Sequence, residues 1–265
     1  MLDFFIGLTC SFLISFIAYK NSSLSKSGLI AAIILGTGIY FFGGLFFSII
    51  MIAFFVSSSL LSKFKKINKD KLEKINEKGE NRDFMQVIAN GGVGLIVAII
   101  YYFNQSSIYL LAYGVSFAVS TADTWASEIG VLSKRKPIDI LTLKPLETGM
   151  SGGISLLGTS FALLGSSFIA SIHFILNIFI YKDLKEGLIY SSYCFLLGFF
   201  GAIIDSLLGA SLQAQYYCDE LDTITEKRVY KGKTNKLIKG ISFINNDIVN
   251  LSSNIISSLF TFLII

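Results

Sequence analysis

Residues 28–61 read GLIAAIILGTGIYFFGGLFFSIIMIAFFVSSSLL, a run without one charged side chain. A hydrocarbon core about 30 Å thick is crossed by roughly 20 apolar residues in a helix. The run is too long for one crossing, and Gly43-Gly44 lies near its middle, so it is expected to form two short spans. Composition agrees: 53% of the chain is hydrophobic and 15% charged, whereas a soluble domain carries about 25% charged residues.

Working outward, further apolar spans are expected at 2–19, 84–103, 107–132, 151–181, 187–213 and 247–265. The reading is an all-α, polytopic transmembrane bundle of about eight spans, forming one integral membrane domain over 1–265. The first span lacks a basic flank and a small-residue cleavage site, so it is read as retained rather than as a signal peptide. Cys10, Cys194 and Cys218 show no paired spacing, which argues against a zinc site or a disulfide framework.

The net charge of +4 is unevenly spread. Lys63 to Arg82 form a basic stretch in loop 62–83, interleaved with Asp70, Glu73, Glu77 and Glu80, and expected as a solvated helix. Loop 133–150 holds Lys134, Arg135, Lys136 and Lys144. Loop 214–246 holds Lys227, Arg228, Lys231, Lys233, Lys236 and Lys239, and turn 20–27 adds Lys20 and Lys26. Opposite them stand only Lys182 and Lys185, balanced by Asp183 and Glu186. Basic loops face the cytoplasm. With eight spans both termini lie outside, the protein sits in the cell membrane, and its partner surface is lipid rather than nucleic acid.

Asp123, Glu128 and Asp205 fall inside apolar spans without a Lys or Arg in the same span. Each costs at least about 2.5–3.5 kcal/mol at mid-membrane, which marks a functional position unless the carboxyls are protonated and bonded between helices. All three lie toward the cytoplasmic ends of their spans, and Asp247 opens the last span from the same side. Oxygen ligands of this kind suit Mg²⁺, held by one or two carboxylates together with substrate phosphates. Other polar groups crowd the same end. Arg82, Gln86 and Asn90 share a helix face beside Asp83; Asp123 pairs with Ser127 and Thr124 with Glu128 at one-turn spacing. Asp205 leads to Gly209 and Gln213, and Asn246, Asp247 and Asn250 cluster at the start of the last span.

Glu147-Thr148-Gly149-Met150-Ser151-Gly152-Gly153 enters the sixth span. Its amides can hold an anion at a helix start, with Arg82 and Lys144 adding charge-assisted contacts; the glycines equally suit close packing. No Walker A, nucleophile-elbow or zinc-helix motif is present. His173, the one histidine, is expected to be a packing or interfacial residue. Trp125 suits either a lipid-pocket wall or plain core packing.

Arg82-Asp83-x-x-Gln86-Val87-x-Ala89-Asn90-Gly91-Gly92, Thr121-Ala122-Asp123-Thr124-Trp125-Ala126-Ser127-Glu128-Ile129-Gly130, Gly149-x-x-Gly152-Gly153, Asp205-Ser206-Leu207-Leu208-Gly209-Ala210-x-x-Gln213 and Asn246-Asp247-x-Val249-Asn250 run in order along the chain. The pattern resembles the transmembrane-protein-19-like family, which includes phytyl-phosphate kinases and is distantly similar to dolichol kinases and membrane CTP-using transferases. Met150 departs from the small polar residue expected after Gly149. With no transit segment expected ahead of the first span, the phytyl substrate itself is not carried over. The resemblance implies transfer of a phosphoryl group from a nucleoside triphosphate, CTP being one candidate, to a prenyl monophosphate.

On that reading Asp123, Glu128 and Asp205 serve Mg²⁺, and Arg82 and Lys144 contact the triphosphate. Gln86, Asn90, Asn246 and Asn250 orient phosphate or ribose. Asp83, Ser127, Gly149, Ser151, Gly152, Gly153, Gln213 and Asp247 complete the expected binding set. Alternatives from the same residues are a prenol kinase, a cytidylyltransferase, or an ion or solute transporter.

Overall fold

The computed structural model describes residues 1–64 and 81–264. The solvated helix expected in loop 62–83 falls almost wholly outside them. Among the described residues are seven helices: α1 (Leu2–Lys20), α2 (Lys26–Lys63), α3 (Phe84–Asn104), α4 (Ile108–Gly130), α5 (Leu156–Leu176), α6 (Leu184–Ser211) and α7 (Asn246–Ile264). A π-helical turn, Asn177–Tyr181, extends α5.

The 38 residues of α2 would reach about 57 Å if straight, nearly twice the bilayer core. Gly44 breaks the helix with φ 68° and ψ −153°, a conformation open to glycine and costly for any residue with a Cβ. Nothing lies within 4 Å of where that Cβ would sit, so the requirement is conformational rather than steric. The two halves then fold back on one another. A Cβ on Gly36 would stand 3.6 Å from Met51 Cε, and Ser22 and Ser23 line one small pocket with Ser59, Ser62 and Lys63. Both ends of α2 therefore lie at the same end of the bundle, as the split at Gly43-Gly44 requires.

Six of the seven helices among the described residues are long and apolar enough to cross a membrane; α4 is the exception. It packs against α2, α3, α5, α6 and α7, and every residue from Leu110 to Ala122 is buried. A helix enclosed by five others meets little lipid, so its second half can carry Ser120, Thr121, Asp123, Thr124, Ser127 and Glu128. Its first half packs into an aromatic core: Tyr113 lies 4.3 Å from Phe47 and 4.9 Å from Phe117 between ring centroids. The Tyr113 hydroxyl donates to the Phe47 carbonyl at 2.7 Å.

At that end of α4 His173 is fully buried. Its Nε2 lies 3.2 Å from the Leu110 carbonyl, which can only accept, so Nε2 carries the proton. Nδ1 then accepts from the Asn177 amide at 3.1 Å, with Ser191 Oγ at 3.3 Å. Its expected packing role fits this arrangement, which ties α4, α5 and α6.

Loop 214–246, expected only as a basic loop, is a small β cap between α6 and α7. Strands β3 (Gln215–Cys218), β4 (Thr223–Thr225) and β7 (Lys236–Lys239) form an antiparallel sheet in the order β4-β3-β7, and β5 (Val229–Tyr230) pairs with β6 (Lys233–Thr234). A second pair, β1 (Ile138–Asp139) with β2 (Gly153–Ile154), closes loop 133–155. Lys239 Nζ reaches Asp139 Oδ2 at 3.5 Å and joins the two. The amide of Thr142, together with that of Leu141 and the Lys239 charge, holds the Asp139 carboxyl below its usual pKa against the opposing effect of burial.

Candidate functional site

At the basic end of α4 a cavity of about 380 Å³ opens between α3, α4, α5, α6, α7 and the loops around them. Its size falls in the range of small-molecule sites. Fourteen of the seventeen residues expected in the site line it: Arg82, Gln86, Asn90, Asp123, Ser127, Glu128, Gly149, Ser151, Gly152, Gly153, Asp205, Asn246, Asp247 and Asn250.

The first cluster centres on Asp205. Ser253 Oγ donates to Asp205 Oδ2 at 2.9 Å. With its amide turned so that nitrogen faces acceptors, Asn250 donates to the same oxygen at 3.1 Å and to the Asn246 carbonyl at 3.2 Å. Asn254 continues the chain, donating to Ser120 Oγ at 3.1 Å, while Ser120 donates to the Asn90 carbonyl at 3.0 Å. Four helices are thus bonded around one carboxylate. Asp123 faces the same centre from α4 and lies close enough to Asp205 for their charges to interact. It takes no hydrogen bond from another described residue, and only part of it is buried.

The second cluster centres on Arg82. Its backbone is fixed on both sides, donating to Ser23 at 3.2 Å and accepting from Ser25 at 3.0 Å. The guanidinium lies over the Phe54 and Phe55 rings at 5.6 and 5.8 Å. Burial lowers its pKa, opposed by the neighbouring Glu128 charge. Its Nη1 is buried without a hydrogen-bond partner. Glu128 belongs here: its Oε1 accepts from Ser62 Oγ at 2.6 Å.

Asp123 and Glu128 therefore point to different clusters. Five residues along a helix is about 500°, or roughly 140° from the starting face. No three His, Cys, Asp or Glu side chains among the described residues converge on a metal position. The three expected carboxylates line one cavity without converging on one point among the described residues. Asp123 and Asp205 still fit Mg²⁺ by donor type, since this ion commonly takes one or two carboxylates and completes its shell with water and phosphate oxygens.

Three expected residues lie outside the cavity lining. Asp83 caps α3: its Oδ1 accepts from the Gln86 amide at 2.9 Å, and Gln86 Oε1 accepts from the Asp83 amide at 2.9 Å. Gln86 lines the cavity, yet its oxygen is engaged in that cap. Lys144 is exposed, turned outward where its carbonyl accepts from Asp139 in the β1 turn. Gln213 is buried under the cap with both amide atoms unpartnered.

The glycine loop also differs from expectation. Strand β2 and the cap residue Ser155 separate it from α5, which starts at Leu156 rather than Ser151. The amides of Met150 and Gly153 are engaged in turns within the loop. Gly152 has φ 82°, and a Cβ there would meet the Ala210 backbone, so its role includes close approach to α6.

Glu226 was not singled out from sequence. It follows β4 and accepts from Ser151 Oγ at 2.6 Å across the cavity mouth. With Asp123, Glu128, Asp205 and Asp247 it makes five lining carboxylates, against Arg82 as the one lining Lys or Arg among the described residues. A polyanionic ligand can enter such a cavity only with cations beside it. No single-residue pattern announces Glu226, because its place depends on the cap folding back over the helices.

The fold and site define a polytopic helical membrane protein with a carboxylate-rich cavity at one end of its bundle. Residues 9–258 match the model of the integral membrane protein DUF92 family, and the chain belongs to that family. It is 31% identical to Protein PGR of Arabidopsis thaliana over 95% of this chain and 92% of that protein. An uncharacterised membrane protein of Methanocaldococcus jannaschii is 30% identical over 79% of this chain and 83% of its own length. Protein VTE6, chloroplastic, of Arabidopsis thaliana is 25% identical over 87% of this chain and 62% of that protein. No solved structure matches.

Proposed function

We propose that the protein is a membrane-embedded kinase that transfers the terminal phosphoryl group of a nucleoside triphosphate, with CTP the first donor to test, to a prenyl monophosphate. The observation carrying this reading is the juxtaposition, in one cavity, of the Asp123–Asp205 pair, the Arg82 side chain and an apolar wall that includes Ala162, Phe199 and Ala202. Family membership and the similarity to Protein VTE6 support it.

In the reaction a phosphate oxygen of the lipid attacks the terminal phosphorus of the nucleotide. The bond to the bridging oxygen breaks, and lipid diphosphate and nucleoside diphosphate separate. The attacking oxygen is already anionic near neutral pH, so no strong general base is required, and the chemistry depends on positioning and charge neutralisation. Arg82 supplies a fixed cation for phosphate oxygens. Asp123 and Asp205 would hold Mg²⁺, which supplies neutralisation of the triphosphate charge. Asn250 and Ser253 hold Asp205 in place, and Glu226 with Ser151 closes the mouth. The nucleotide is taken to enter from the cytoplasm, where the basic loops are placed by their charge.

Transport is the weaker reading. Toward the opposite end the cavity meets the buried Ala122, Ala162 and Ala202 cluster, and beyond it stands the Phe46, Phe47, Tyr113 and Phe117 core. The test is a screen of purified protein against prenyl monophosphates of several lengths with CTP, ATP, GTP and UTP. Lipid diphosphate with release of nucleoside diphosphate is expected. Pyrophosphate release would indicate cytidylyl transfer, and turnover of free prenol but not its phosphate would indicate a prenol kinase.

A further inference from the structure

The cavity has two chemically distinct ends, and how a lipid chain reaches the apolar one depends on the wall between α5 and α6. On α5, Thr159 and Ala162 line it; on α6, Phe199, Ala202 and Ile203 do. Ala162 lies seven residues beyond the Ser155 cap, about 10 Å deeper along the helix, and Phe199 lies six residues, about 9 Å, deeper than Asp205. Both helices are apolar enough there to cross a membrane. Ala122, Ala162 and Ala202 form a buried floor where α4, α5 and α6 meet, with Ala126 and Phe199 packed against it. Ala162 and Ala202 face the cavity, and Ala122 packs behind them. The wall between α5 and α6 is also unsealed: Thr159 is exposed, and Phe199 and Ile203 are only partly buried.

We infer that the gap between α5 and α6 is a lateral slot through which a single-chain lipid phosphate enters from the bilayer, its chain resting on the alanine floor beside Phe199 and its phosphate reaching Arg82. The inference rests on the lipid-phosphate reading but not on phosphoryl transfer. It commits to one occupant because the slot is continuous with a cavity whose one lining Lys or Arg among the described residues is Arg82. Phe199 then sets chain fit, and Thr159 stands at the portal.

Trp125, the one tryptophan in the chain, serves as the fluorescent probe beside the cavity. It precedes cavity-lining Ala126 and stacks on Phe168 at 5.3 Å. Full-length protein in nanodiscs of unbrominated lipid is titrated with an alkyl phosphate brominated in mid-chain, without nucleotide. Saturable quenching of Trp125 is expected. The alcohol of the same chain should need at least tenfold more to reach half-saturation. Thr159→Phe, at an exposed position, should weaken the alkyl phosphate at least tenfold, and Phe199→Ala should shift preference toward a bulkier, methyl-branched chain. Linear quenching that never saturates, or saturable quenching unchanged by Thr159→Phe in a protein that purifies as the wild type does, overturns the slot. Saturable, Thr159-dependent binding without nucleotide turnover sustains the slot and sinks the kinase reading alone.

Discussion

Two buried polar clusters stand at opposite ends of α4 and differ in one respect. Around His173 every ring nitrogen finds a protein partner, and the residue does not line the cavity. Around Asp205 the bonds from Ser253 and Asn250 fix the carboxylate, yet the group also lines the cavity, with Asp123 beside it. The first cluster faces no cavity and joins helices, with Asn177 Oδ1 its one unpartnered atom. The second is held in place and still offers oxygens to a ligand. A buried polar group is available to a ligand only where bonding capacity is left facing a cavity.

The comparison can be broken by mutation. Asp123→Asn or Asp205→Asn should bring lipid diphosphate formation below detection while the protein still inserts and purifies, and chelation of divalent cations should do the same to the wild type. Full turnover by either folded variant removes that residue from the mechanism. Arg82→Ala loses a charge-assisted phosphate contact of about 1.5–3 kcal/mol, so kcat/KM for nucleotide should fall roughly 10- to 100-fold. For Glu226→Gln, which keeps the shape of the Ser151 contact, a loss of about 1 kcal/mol, or roughly fivefold in the same constant, is expected. His173→Ala should leave turnover within about twofold and lower thermal stability instead, the cost of an emptied buried site being about 2–4 kcal/mol. A His173 variant that is stable but inactive would reverse the assignment of the two clusters.

The smallest effect is expected at Asp139. Its pKa is held below the usual value of about 3.9, chiefly by the Thr142 amide. The stabilisation is present above that usual value and is lost as pH falls through the lower folded one. Thermal unfolding of detergent-solubilised wild type should weaken more between about pH 5 and pH 3 than that of Asp139→Asn. Equal acid responses would mean that the Asp139 carboxylate, with its Thr142, Leu141 and Lys239 contacts, contributes nothing to the stability of the cap.

Much of the fold was legible because its signals are local. Charge-free length gives spans, and Gly43-Gly44 in an over-long run marks the hairpin. The Asp-x-x-Gln at 83–86 was legible as a cap, although shared helix face and polarity favoured binding. The cap strands are two to four residues long, too short for alternation to stand out among lysines. For the site, depth was readable and direction was not. Asp123 and Glu128 reach one end of the bundle, but their five-residue spacing turns them to different neighbours. Lys144 was assigned by charge alone, and the turn at Leu143, with φ 57°, belongs to an exposed loop that leaves the side chain outside the cavity.

The most direct test of the central claim is made in sealed vesicles containing the reconstituted protein, with nucleotide outside and prenyl monophosphate in the bilayer. Nucleotide consumption, lipid diphosphate and ion flux are followed together. The account predicts no nucleotide use without the lipid phosphate, one nucleoside diphosphate per lipid diphosphate with it, and no protein-dependent flux. Flux abolished by Asp205→Asn, with no nucleotide consumed under any lipid condition, would contradict it.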